Sequence, residues 1–147
     1  MITNISITGV FVKNVDEAKR FYTDVLGLEA KDDITLADGY RWCTVVHPSQ
    51  PELQVTLSVP GPPHSQDMID AINRALDGGG MNGLGFQVDD CHKTFEELSA
   101  KGVEFIQEPS ERPYGVEAVC RDNSGNWMVL IEPREFDPSE FDQLNPA

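Results

Sequence analysis

Eight residues near the start of the chain return, in character and in spacing, 76 positions later. Ile7-Thr8-Gly9-Val10-Phe11-Val12-Lys13-Asn14 aligns with Gly83-Leu84-Gly85-Phe86-Gln87-Val88-Asp89-Asp90, pairing Gly9 with Gly85, Val10 with Phe86, Val12 with Val88 and Asn14 with Asp90. Each copy is a short apolar strand that ends on a residue suited to capping a helix. In the first, Asn14 stands three residues before Glu17, so that each side chain can satisfy a free N–H of the other. Val15, Ala18, Phe21, Tyr22, Val25 and Leu26 follow at helical spacing, and Gly27 ends the run. In the second, the helix spans Cys91 to Lys101 with Thr94, Phe95 and Leu98 inward and Gly102 as its stop. One supersecondary unit used twice, each unable to bury its sheet alone, sharply limits the folds available.

Between the copies, Tyr40 to His47 and Leu53 to Val59 read as a hairpin around Pro48-Ser49-Gln50-Pro51. Pro60-Gly61-Pro62-Pro63 breaks the pattern. Ser65 then caps a connector helix bearing Met68, Ile69, Ile72 and Leu76, closed by Gly78-Gly79-Gly80. After the second helix come strands over Glu104 to Ile106, Val116 to Arg121 and Trp127 to Ile131, the last entered through the polar turn Asp122 to Asn126. Trp127, Val129 and Ile131 share one face of that strand. The expected organisation is a single domain over 1–133, with module 1 near 5–60, a connector 61–82, module 2 near 83–133, and an acidic tail 134–147.

Charge narrows the partners. The chain carries 25 acidic and 11 basic residues, a net −14, and such a surface repels phosphate backbones and anionic headgroups. Neither nucleic acid nor membrane is an expected partner; solubility is the simpler reading of the acidity, attraction of an amine-bearing ligand the other. Cys43, Cys91 and Cys120 are odd in number and widely spaced, which suggests neither a disulfide framework nor a zinc ribbon. A reducing cytoplasm fits, and neither an export signal nor an apolar run of bilayer length is read.

The successions Val12-Lys13-Asn14 to Phe21-Tyr22 and Leu26-Gly27, then Phe86-Gln87-Val88-Asp89-Asp90, Gly102-Val103, Arg112-Pro113-Tyr114-Gly115 and Asp122-Asn123-Ser124-Gly125-Asn126, resemble the vicinal oxygen chelate superfamily of glyoxalases, extradiol dioxygenases and bleomycin-type resistance proteins. The resemblance spans about residues 5 to 133. It implies an α+β fold of two βαβββ modules, their strands forming a curled mixed sheet around a cleft that a second subunit often completes, hence a homodimer. It says less about function, since one fold hosts many chemistries. Enzymes of the family place a His or Gln on the first strand of each module and a Glu on the last strand as metal ligands. Here those positions fall on Ile7, Gly83 and Val129, none of which can ligate a metal, so no metal or other cofactor is expected.

Other residues offer little to rebuild a site. His47, His64 and His92 are read as surface histidines that do not converge, while Glu52 or Glu132 could approach the cleft mouth. The cysteines lack a neighbouring base; Cys91, just after a cap, is the one whose thiol a helix N-terminus could acidify. Gly78-Gly79-Gly80 lacks the Lys and preceding strand of a phosphate loop. What remains is apolar: Ile7, Gly9 and Phe11 on the first strand, Tyr40 and Trp42 sharing a face of the first hairpin, Gly83, and Trp127, Val129 and Ile131, with Tyr114 and Arg112 in a loop from Pro109 to Gly115 that could close one end. Core packing is the competing reading for Phe11, Trp42 and Trp127. As a set, the residues suit a flat unsaturated ligand held by stacking and apolar burial. The expectation is a non-catalytic protein that sequesters an aromatic or polyunsaturated natural product, of the antibiotic self-resistance type; the alternative is a glyoxalase- or dioxygenase-like enzyme acting on a small carbonyl or phenolic compound.

Overall fold

The computed structural model describes residues 1–139. The acidic tail beyond Ser139, with Glu140 and Asp142, lies outside the described residues. Two compact units divide the chain: Met1–Asn82 together with Asp122–Asn126, and Gly83–Arg121 together with the chain from Trp127 on.

In the first unit, β1 (Ile7–Phe11) leads to α1 (Val15–Arg20), whose Asn14 cap accepts the Glu17 N–H at 2.9 Å. The helix then widens into one π turn, Phe21–Val25, where Leu26 N reaches back to Phe21 O at 3.1 Å. Tyr22 sits in this turn, fully buried. Strands β2 (Glu29–Thr35), β3 (Arg41–His47) and β4 (Gln50–Ser58) follow, and α2 (Gln66–Asp77) starts from the Ser65 cap. The sheet order is β1-β4-β3-β2, with β1 parallel to β4 and the other pairs antiparallel. Val10, Cys43, Val45, Val55 and Leu57 alternate onto the buried side, and Ile72 and Leu76 are the buried stripe of α2.

The second unit repeats the plan. β5 (Asn82–Gln87) precedes α3 (Cys91–Ala100), capped by Asp90, which accepts the Lys93 N–H at 3.0 Å. Strands β6 (Phe105–Arg112), β7 (Gly115–Arg121) and β8 (Trp127–Pro133) complete a sheet of order β5-β8-β7-β6. Val116, Ala118, Cys120, Met128 and Leu130 form its buried side, and the Phe95 and Phe105 rings meet edge to face at 4.7 Å. The α+β class and the βαβββ pattern of both modules are present, each module building a four-stranded sheet of its own.

Three local expectations change. Strand β2 has no counterpart in the sequence reading. It is an edge strand of composition Glu-Ala-Lys-Asp-Asp-Ile-Thr, almost wholly exposed, so no apolar alternation marks it. The β3–β4 turn is only Pro48-Ser49, since His47 pairs with Gln50; Pro51 falls where the register shifts between Val45↔Val55 and His47↔Gln50, so its missing N–H removes no regular rung. Strand β6 runs on to Arg112 through Pro109, which an edge strand with a shift between Gln107 and Ser110 tolerates. The expected closing loop is therefore a tight turn at Pro113-Tyr114. Gly115 follows it at φ 141°, where a Cβ would lie 2.0 Å from Glu132 O.

The turn Asp122–Asn126 buries Asp122, Ser124 and Asn126 and belongs by its contacts to the first unit. Asp122 Oδ1 accepts the Ser124 and Asn126 N–H groups, each at 2.9 Å; Oδ2 accepts Tyr22 OH at 2.7 Å and Asn126 Nδ2 at 2.9 Å. Asn126 Nδ2 also donates to Phe11 O at 2.8 Å, and Lys13 N donates to Ser124 Oγ at 3.0 Å. Gly125, at φ 99°, lies so close to α2 that a Cβ would stand 2.5 Å from Leu76 O. Tyr22→Phe should therefore destabilise the protein by about 1–3 kcal/mol, because it leaves a buried acceptor of Asp122 short of a partner. Urea unfolding followed by circular dichroism measures this; an unchanged midpoint would show that the bond carries no net stability.

Candidate functional site

Alternation gives each sheet a second side, less closed than the one its helix covers. In the first unit this side carries Ile7, Gly9 and Phe11 of β1, whose partners on β4 are Gln54, Thr56 and Ser58. Thr44 pairs with Thr56, and continuing that register puts Trp42 opposite Ser58, with Ile34 of β2 beyond it. Phe11, Ser58, Trp42 and Ile34 thus form one row across the four strands. Gly9 allows a close approach, since a Cβ there would meet Thr56 Oγ1 at 2.8 Å. Trp42 is held by its indole N–H, which donates to Asp32 Oδ2 at 3.2 Å. Beside it, Thr44 Oγ1 donates to Gln54 Oε1 at 3.1 Å and accepts the Asp32 N–H at 3.1 Å. Tyr40 precedes the first residue of β3 and lines a pocket with Arg41, Val59 and Ser58, the last being the β4 partner of Phe11.

In the second unit the same side carries Trp127, Val129 and Ile131 of β8, opposite Arg121, Val119 and Glu117 of β7. Trp127 is 37% exposed, and Val129 and Ile131 are half-buried, whereas the intervening Met128 and Leu130 are closed off. Gly83 lies on β5, the neighbour of β8. Glu117 gathers a polar cluster that the sequence reading missed. Tyr114 donates its hydroxyl to Glu117 Oε2, Gln107 Nε2 donates to Glu117 O at 3.2 Å, and Arg112 Nε lies 3.8 Å from Glu117 Oε1. The signal for it was the alternation of Val116, Ala118 and Cys120, which leaves Glu117 on the face of Ile131. The acceptor carboxylate, with burial second, holds the Tyr114 phenol above the usual tyrosine range.

Reactive groups lie elsewhere or are spent. Glu132, expected as a candidate for the cleft mouth, accepts the Cys91 N–H at 2.9 Å and so finishes the N-terminus of α3. Cys91 is fully buried, and desolvation, followed by the Glu132 charge, pushes its thiol up; the acidified thiol considered for it is not what its surroundings produce. Cys43 and Cys120 are buried as well. All three histidines are exposed; His64 touches the Phe11 ring edge to face at 5.5 Å. The positions at which the resemblance would seat a metal present two hydrocarbon side chains, Ile7 and Val129, and the bare Cα of Gly83. Among the described residues, no three His, Cys, Asp or Glu side chains converge as a ligand set, so the residues present do not fit a metal. Such faces can stack on, bury and hydrogen-bond a ligand.

The Glyoxalase/Bleomycin resistance protein/Dioxygenase superfamily profile matches residues 4–130. The chain belongs to that superfamily. Its fold is shared with UcmS2, whose crystal structure superposes with a TM-score of 0.82 at 36% identity, covering 90% of this chain and 99% of the other. TnmS3, an antibiotic binding protein from Streptomyces sp. CB03234, superposes with a TM-score of 0.71 at 24% identity, covering 90% and 98%. The uncharacterized protein YurT of Bacillus subtilis (strain 168) is 30% identical over 129 residues, 87% of this chain and 98% of its own. Within this superfamily the fold is thus one that antibiotic-binding proteins also use. Among the described residues, no helix is long and apolar enough to cross a membrane.

The Glu117 cluster has a spectroscopic consequence. Glu117→Gln should lower the titration of Tyr114 toward the ordinary phenol value of about 10, because the charged acceptor that stabilises the neutral phenol is gone. Ultraviolet difference titration against Tyr114→Phe isolates this phenol from Tyr22 and Tyr40. An unshifted curve would mean that the carboxylate does not hold it.

Proposed function

We propose that this protein binds an aromatic or polyunsaturated natural product and holds it without converting it, as a self-resistance protein would, with a second copy of the chain completing the cleft. The observation that carries the reading is the composition of β8: Val129 stands where a relative's metal-binding carboxylate would be, between the rings and branches of Trp127 and Ile131. Ile7 and Gly83 remove the other donors in the same way. A face that cannot assemble a metal shell but offers a half-open indole, branched side chains and a flanking Glu117–Tyr114–Arg112 cluster is suited to stacking on a flat ligand and orienting its polar edge. The row Phe11, Trp42 and Ile34 offers similar surface on the first sheet. TnmS3, an antibiotic binding protein, supports the reading as a neighbour of matching fold and length.

Tryptophan fluorescence tests this directly, since Trp42 and Trp127 are the two tryptophans of the chain. A panel of aromatic antibiotics should include compounds that quench it saturably, and Trp127→Ala should weaken their binding roughly tenfold, the ~1.4 kcal/mol expected of one stacking partner. Failure of every compound to quench would overturn the reading. So would mass spectrometry showing many equivalents of a bound compound converted per chain. The second copy is tested by native mass spectrometry, where a species that stays monomeric at high concentration contradicts it.

A further inference from the structure

The first unit holds a pocket of about 460 Å³ where β3 begins and β4 ends. Val15, Val59, Pro60 and Pro62 form apolar walls, and the Tyr40 ring, 43% exposed, stands beside them. Its volume is that of a site for a small organic molecule. The prolines stiffen the wall, so little order has to be created on binding.

Two ionised side chains line the pocket, and their charges are used differently. Arg41 is paired with two carboxylates: Nε donates to Asp33 Oδ1 at 2.9 Å, and the NH2 group donates to Asp33 Oδ2 and to Asp16 Oδ1, both at 2.8 Å. Three of its five N–H donors are used in this way, and the two carboxylates outweigh its single positive charge, so the group does not draw an anion into the pocket. Asp38 accepts only the Tyr40 N–H, at 3.0 Å, and no ion pair engages it among the described residues. The charge left over in the pocket is therefore one carboxylate, beside an aromatic ring and within the field of a chain of net charge −14. An anionic ligand is disfavoured there, and a neutral one would leave Asp38 unused.

We propose that this pocket binds a cationic amine carried on a small apolar or aromatic body, the ammonium at Asp38 and the body against Tyr40, Val59 and the proline wall. Charge-assisted hydrogen bonding fixes the amine, the Tyr40 face adds cation–π attraction, and apolar burial supplies the remainder. The inference rests on the pocket alone. Ser58 lines the pocket and also belongs to the open face of the first sheet, but Asp38 is not part of that face, so a test at Asp38 distinguishes this inference from the ligand proposed for the open strand faces.

Three probes of matched size decide it: naphthylethylamine, its neutral N-acetyl derivative, and anionic naphthylacetate, each titrated while the Gly39 and Gly61 amides are followed by NMR. The amine should move both amides saturably, and the acetylated and anionic probes should bind roughly five- to tenfold more weakly or not at all, in line with one solvent-screened charge pair at the exposed Asp38. Asp38→Asn keeps an oxygen acceptor for the Tyr40 N–H and so preserves the turn, which the unchanged dispersion of other amides verifies. It should reduce amine binding by roughly the same five- to tenfold and leave the acetylated probe unaffected. Equal binding of the charged and neutral probes, undiminished amine binding in Asp38→Asn, or no saturable shift at Gly39 and Gly61 would each overturn the proposal.

Discussion

The Asp122 carboxylate is the interaction on which the first unit most depends. Its two oxygens accept four hydrogen bonds, from Tyr22, from the Asn126 side chain and from two backbone N–H groups of its own turn. A buried carboxylate is costly unless its lone pairs are filled, and here they are filled by groups that are themselves buried and positioned. The arrangement draws on distant parts of the chain: the π turn that directs Tyr22 inward, the end of β1 that gives up its Phe11 carbonyl, and the approach of Gly125 to α2. That is why a turn lying between two strands of the second unit is counted with the first.

Around that hub the sheets are simple in construction. Each strand divides its residues between a side closed by a helix and a side left partly open. The closed sides are aliphatic and contain Cys43 and Cys120, while Cys91 is buried at the start of α3, which explains why these thiols are packing groups. The open sides carry aromatic and branched residues next to satisfied polar clusters: Asp32, Trp42, Thr44 and Gln54 in one unit, Gln107, Arg112, Tyr114 and Glu117 in the other. Fixed polar groups beside apolar surface are what a binding face needs in order to choose an orientation for its ligand.

Much of this was legible along the chain. The caps at Asn14, Ser65 and Asp90 are short-range chemistry, and all three accept the N–H groups that their spacing predicts. The apolar alternation of β8 placed Met128 and Leu130 opposite Trp127, Val129 and Ile131. Strand β2 was not legible, because an exposed edge strand is specified by its partner's hydrogen bonds and not by its own hydrophobicity. The true length of β6 was hidden by Pro109, whose tolerance at an edge depends on where that strand sits in the sheet. Glu117 was visible only once β7 was read as strictly alternating, and Glu132 changed role because α3 presents an open N–H to it.

The sequence by itself determined the repeat, the helices and the absence of donor atoms at Ile7, Gly83 and Val129, since these follow from residue type and local spacing. Tertiary structure decided what the polar turn at Asp122 is for. Read locally, Asp122 to Asn126 is a solvated hairpin turn, because its residues are polar and tolerate tight backbone geometry. In the fold its Asp122, Ser124 and Asn126 side chains are buried, because Tyr22, Phe11 and Lys13 arrive from 100 or more residues away to satisfy them. No local pattern encodes partners at that separation; only the folded chain brings them within hydrogen-bonding distance.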